Sequence, residues 1–130
     1  MVFYFINMTG KIENFYDLST WKEAHLLVLK IYKITEQFPA HEIYGVTSQI
    51  RRASSSITAN IAEGFSRYHY KDKIKFYYQA RGSISEVQNF LILSRDLGYI
   101  NTEKCAELGL KAHDVRKLLN GLIRATGNKI

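Results

Sequence analysis

Between Gly64 and Arg81 the chain sets Arg67, Lys71, Lys73, Lys75 and Arg81 among Phe65, Tyr68, His69, Tyr70, Tyr77 and Tyr78, with Asp72 as the one acid. Cations neutralise phosphates and aromatic rings stack on unpaired bases, so this mixture suits contact with single-stranded or structured nucleic acid. These eighteen residues hold +4 of the chain's net +6. Arg51 and Arg52 add two further charges upstream, although either can instead pair with a carboxylate of a neighbouring subunit. The candidate nucleic-acid-binding residues are therefore Arg51, Arg52, Arg67, Tyr68, Lys71, Lys73, Lys75 and Arg81. The competing reading is a solvated helix start whose tyrosines pack inward or at a subunit contact. In that case the protein is a structural or protein-interaction module.

Other chemistries lack their residues. A di-iron bundle needs Glu-x-x-His on two helices, and no Glu here is followed by His three positions later. Arg67 and His69 are only two apart in a loop, which does not suit a helical ribonuclease pair. The nucleophile elbow, the phosphate loop and His-Glu-x-x-His are missing. The expectation is a non-enzymatic protein with no catalytic residue, no metal and no cofactor. Cys105 is the sole cysteine, which excludes an intramolecular disulfide; it reads as a small apolar core residue and suits a reducing, cytoplasmic setting. No apolar run approaches the ~20 residues that span a bilayer, so no membrane role is expected.

The elements that would carry these residues are four helices. The first is expected from Thr20, spaced from Glu23 as a capping box, to Gln37, where Phe38-Pro39 stops it. Its stripe comprises Trp21, Ala24, His25, Val28, Ile31, Tyr32 and Thr35, widened by Leu27 and Ile34. His25 reads as a core or boundary histidine. The second helix, residues 45–65, buries Ile50, Ala53, Ile57 and Ile61 between Val46 and Gly64. The third runs from Lys71 to Leu97 on Phe76, Ala80, Ser83, Ile84, Val87, Leu91 and Ser94, and Gly98 occupies the left-handed cap position. Gly82 inside it implies a close crossing or a kink. The fourth, capped by Asn101 or Thr102, alternates Cys105, Leu108, Ala112, Val115, Leu119 and Leu122. Short connections make this an all-α, antiparallel up-down-up-down four-helix bundle over residues 17–126, with an extension at 1–16 and a tail at 127–130.

The backs of two helices are unusual. Ser48, Ser55, Ala59 and Ala62 give the second helix a small, uncharged reverse face, while the third carries Ile74, Tyr78 and Ile92 away from its core stripe. Such faces are expected at contacts between copies, so these seven residues are the candidate oligomer interface. The apolar residues 1–8 lack the basic leader and cleavage site of a signal peptide. Either Met8 is the true start, or Phe3 and Phe5 form a short strand or pack on a neighbour.

Several runs carry a family resemblance: Asp17-Leu18 with Trp21 and Ala24, Phe38-Pro39 with Glu42 and Tyr44, Thr47 to Ala53, Ser56-Ile57, Asn60 to Gly64, Ala80 to Ser83 with Glu86, and Leu97 to Tyr99. Together they resemble the bacterial four-helix bundle family known as the 23S ribosomal RNA intervening-sequence proteins, over roughly Asp17 to Ile123. The resemblance implies a cytoplasmic bacterial bundle, often a ring-shaped homopentamer. It also implies kinship with accessory proteins of diversity-generating retroelements, which bind nucleic acid and a reverse transcriptase. It supplies no catalytic residue.

Overall fold

The structure, a computed structural model, describes residues 10–130, so the expectations for Phe3, Phe5 and Met8 lie outside the described residues. A short 3-10 turn at Phe15–Asp17 leads into α1 (Ser19–Thr35), and a second such turn, Ala40–Glu42, links it to α2 (Val46–Ser66). The long helices α3 (Tyr70–Asp96) and α4 (Thr102–Gly127) complete the chain. Among the described residues each helix packs on its chain neighbours, α1 also packs on α4, and the diagonal pairs do not meet. The result is a square of four helices.

Contact registers establish that neighbours are antiparallel. Along α2 and α3, Arg52 meets Glu86, Ser56 meets Ser83, and the Lys73 ammonium reaches the Phe65 carbonyl near the opposite end. Along α3 and α4, the Cys105 thiol approaches the Leu91 carbonyl, Arg116 bonds Ser85, and Arg81 bonds Asn120. One residue number rises as the other falls in each series. The expected up-down-up-down bundle is the observed one.

The core follows the predicted stripes with small shifts. Ile50, Ala53, Ile57 and Ile61 are fully buried, as are Ala24, Leu27 and Ile31 of α1. On α3 the apolar stripe begins at Tyr77 instead of Phe76, which stays half-buried beneath the Arg67 guanidinium, 4.7 Å from its ring centroid. On α4 the last buried apolar position is Ile123, with Leu122 packed at the margin. Tyr32 leaves the predicted core stripe: it is exposed, and Arg51 lies over its ring at 4.8 Å. His25 is a boundary residue stacked on Trp21, with centroids 4.7 Å apart. Cys105 is buried, as its place in the seam requires.

Helix ends reflect local chemistry. The Thr20–Glu23 capping box does not form; α1 starts at Ser19 with Leu18 in the cap position, and Thr20 is buried on the core side. The carboxylate of Asp17 instead accepts from the backbone N–H groups of Glu13 and Asn14 at 3.0 and 2.9 Å, closing the preceding turn. α1 ends at Thr35, and Glu36, Gln37 and Phe38 continue with tighter bonds to residues three back before Pro39. Asn101 caps α4, its side chain accepting from the Lys104 N–H at 2.7 Å. Gly98 adopts φ +80°, and the Tyr99 and Gly98 N–H groups reach back to the Ser94 and Arg95 carbonyls, a complete Schellman cap.

Gly82 does not mark a close crossing. It faces solvent, and a Cβ built there meets nothing within 4 Å. The close approach is at Gly64 instead, against Tyr77. Further along the same pair of helices Ser56 and Ser83 share a hydrogen bond of 2.9 Å, and Asn60 donates to Ser56. Small and hydroxyl side chains thus bring α2 and α3 together without leaving a buried side-chain polar atom unsatisfied among the described residues.

Candidate nucleic-acid interface

The turn between α2 and α3 must reverse the chain within a few residues, and it does so through a bend flanked by extended backbone at Arg67 and His69. Side chains there cannot all reach the core, and Tyr68 is 89% exposed. The first two turns of α3 then project Tyr70, Lys71 and Lys75 outward from the same end of the bundle.

The predicted cations do not share one role. Arg51 is tied to α1, its Nε donating to the Thr35 hydroxyl at 2.8 Å. Arg52 pairs with Glu86 at 2.6 Å and Arg67 with Glu63 at 2.6 Å, both half in solvent. Such pairs contribute little to stability, but each already has a carboxylate beside it. Arg81 donates to Asn120 at 3.1 Å with its guanidinium over Tyr78. Lys73 folds back, Nζ donating to the Phe65 carbonyl at 2.6 Å and lying 5.3 Å from the Phe65 ring; desolvation holds its pKa below the usual lysine value.

Lys71 and Lys75 are exposed and belong to none of the ion pairs among the described residues. They are joined by a residue that sequence reasoning missed. Lys129, just past the end of α4, lies with Nζ 5.9 Å from the Tyr70 ring. Only the antiparallel packing brings position 129 beside position 70; in the sequence it is one more lysine in a tail. The face at this pole therefore gathers Lys71, Lys129 and Tyr70, with exposed Tyr68 in the preceding turn and Lys75 one turn further along α3, and Asp72 is the acid nearest in sequence.

Arg51 and Arg52 sit toward the other end of the bundle. The structure thus separates the eight predicted residues into one compact group around Arg67 to Lys75 and outlying members at positions 51, 52 and 81.

The seven predicted interface residues are also dispersed. On α2, Ala59 is exposed while Ser48, Ser55 and Ala62 are half-buried within a single chain. The Ser48 and Ser55 hydroxyls bond to backbone carbonyls one turn back, leaving smooth helix surface. On α3, Tyr78 and Ile92 are 46% and 49% exposed, whereas Ile74 packs against the core and lies near Gly127.

Among the described residues no three His, Cys, Asp or Glu side chains converge as a metal site would require, and no helix is long and apolar enough to cross a membrane.

Fold and charge together define an antiparallel four-helix bundle with a basic, aromatic pole. Residues 16–121 match the 23S rRNA-intervening sequence protein family, and the chain belongs to that family. The bundle is similar to a crystallised protein of unknown function from the S23 ribosomal protein family of Bacteroides thetaiotaomicron VPI-5482. The TM-score is 0.72 at 23% identity, over 80% of this chain and 97% of that one, a likeness of fold. No functionally curated protein matches the chain.

Proposed function

We propose that this protein is a non-enzymatic, oligomeric helical scaffold that binds RNA or DNA through the α2–α3 pole. The observation that carries the reading is the set of lysines at positions 71, 75 and 129, which belong to no ion pair among the described residues, at the pole that exposes Tyr68 and Tyr70. Arg52, Arg67, Arg95, Lys33 and Lys104 pair with acids and many other cations among the described residues do not; what distinguishes Lys71 and Lys129 is that they gather beside aromatic rings at one pole. Phosphates supply the missing counter-charge. Copies of the chain meet through the smooth α2 surface at Ser55 and Ala59 and the apolar α3 surface at Tyr78 and Ile92. In a ring, the basic poles then lie side by side and many weak phosphate contacts add. A cytoplasmic site of action fits this reading.

Gel-shift titration of single-stranded RNA and DNA over a range of salt concentrations tests it. Binding that weakens steeply as salt rises supports phosphate contact. No binding at low salt overturns the reading and favours a protein-interaction module.

A further inference from the structure

The α2–α3 pole is not a flat basic surface. An open cleft of about 290 Å³ sinks into it, walled by Phe65 from the end of α2, Tyr70, Lys73 and Tyr77 from the start of α3, and Leu122 and Lys129 from the end of the chain. Leu18, just before α1, closes its side, so the cleft is built by this residue and the other three helices. A second cleft of about 380 Å³ adjoins it through Tyr70 and Lys129 and is lined by Lys71 and Asp72. The lining of the first is apolar apart from two lysines, the Tyr70 and Tyr77 phenols and Thr126, whose hydroxyl already donates to the Leu122 carbonyl.

The geometry points to this cleft as a pocket for one unstacked base of a single-stranded nucleic acid, with Lys71 and Lys129, which line the adjoining cleft, holding the flanking phosphates. The inference rests on the nucleic-acid reading above. Its size falls just below the ~300–1,000 Å³ of typical small-molecule pockets, which suits one heteroaromatic ring system and not a helix or a loop. Phe65 and Tyr70 offer rings on its walls, and a base has a π-face whatever its identity. Tyr77 is 1% exposed, and burial pushes its phenol up to about 12, so at neutral pH it is an uncharged hydrogen-bonding group at the cleft wall. Lys73, held by the Phe65 carbonyl, places a cation at the same wall, where it can donate to a base carbonyl. The cations bordering both clefts outnumber Asp72, so the strand's backbone is favoured at the mouth. A double helix keeps its bases stacked and cannot fill the cleft.

The test compares a fluorescent single strand of about 12 nucleotides, within the usual range of single-strand site sizes, with an abasic strand of equal length. The full chain is expected to bind the base-bearing strand about tenfold more tightly. Ala125 is exposed at the cleft wall, and Ala125→Phe fills the cleft without entering the core. That variant, and independently Tyr70→Ala, should lower the preference to near unity while leaving the salt dependence unchanged. Equal, salt-sensitive affinity of the unmodified protein for both strands overturns the base pocket and leaves backbone binding standing. A preference that survives in both variants also overturns it. Failure to bind either strand overturns the pocket and the nucleic-acid reading together.

Discussion

A Cβ on Gly64 would lie 2.7 Å from Cε1 of Tyr77, closer than packed carbons tolerate, and 3.0 Å from the Lys73 carbonyl oxygen. The largest fully buried side chain of α3 thus rests on bare backbone of α2, and the two helices close at the pole that carries the cations. Gly64→Ala must move Tyr77 or spread the helices. We expect a loss of about 1–3 kcal/mol in denaturant unfolding, outweighing the ~1 kcal/mol that alanine gains in helix propensity.

Gly82→Ala should do the opposite. The site is solvent-facing with nothing within 4 Å of a new Cβ, so the same change is expected to stabilise by about 0.5–1 kcal/mol. Equal signs for the two substitutions would contradict the placement of the helix crossing.

Ser56 and Ser83 should be energetically coupled across α2 and α3. Removing either hydroxyl leaves its partner in a half-buried seam, and removing both lets two methyl-sized groups meet. A double-mutant cycle of the two alanine variants should return a coupling of about 1 kcal/mol. Strict additivity would show that the hydrogen bond contributes nothing to pairing.

Alkaline stability should report on Tyr77. Its folded pKa is pushed up to about 12 from an unfolded value of 10.0, so the protonated phenol favours the folded state. The contribution is whole below pH 10 and is lost as pH rises toward 12. The unfolding midpoint of the native sequence should therefore fall more steeply over that interval than that of Tyr77→Phe; identical slopes would mean that the phenol ionises without unfolding.

Replacing Lys71, Lys75 and Lys129 together with Gln should weaken strand binding about equally for all sequences. The plot of log affinity against log salt should flatten by roughly 0.7 for each phosphate of a single strand that the variant no longer neutralises. Arg52→Gln should change binding little, because Glu86 already neutralises that guanidinium. Equal effects from both variants would move the interface toward the middle of the bundle.

Assembly is checked by light scattering against the monomer mass of 15.0 kDa. Ser55→Glu or Ala59→Glu should release subunits while helical circular dichroism stays constant, since a charge without a partner at a subunit interface is destabilising by several kcal/mol and is nearly neutral in water. A wild-type mass near one chain would assign both faces to solvent.

Apolar spacing alone determined the four helices, their antiparallel order and most of the core, because burying a stripe at 3.6-residue period leaves few other solutions for four long amphipathic segments. Ile50 to Ile61 and Cys105 to Leu119 were legible for that reason, and so was the cap at Gly98, where local sterics favour glycine. Helix phase at the margins was not legible. Phe76 and Tyr77 are adjacent and both aromatic, and what selects Tyr77 is the gap that Gly64 leaves on a different helix. Gly64 and Gly82 likewise look alike in sequence, and what lies opposite each is decided by packing. The same holds for the pole. The basic segment was visible as composition, and the local Glu63–Arg67 pair with it, but the carboxylate that pairs with Arg52, the fold-back of Lys73 and the arrival of Lys129 beside Tyr70 depend on how the helices pack. Charge is read locally along a chain, whereas what stands beside each charge is settled by packing, which brings Glu86 to Arg52 from 34 positions away and Lys129 to Tyr70 from 59.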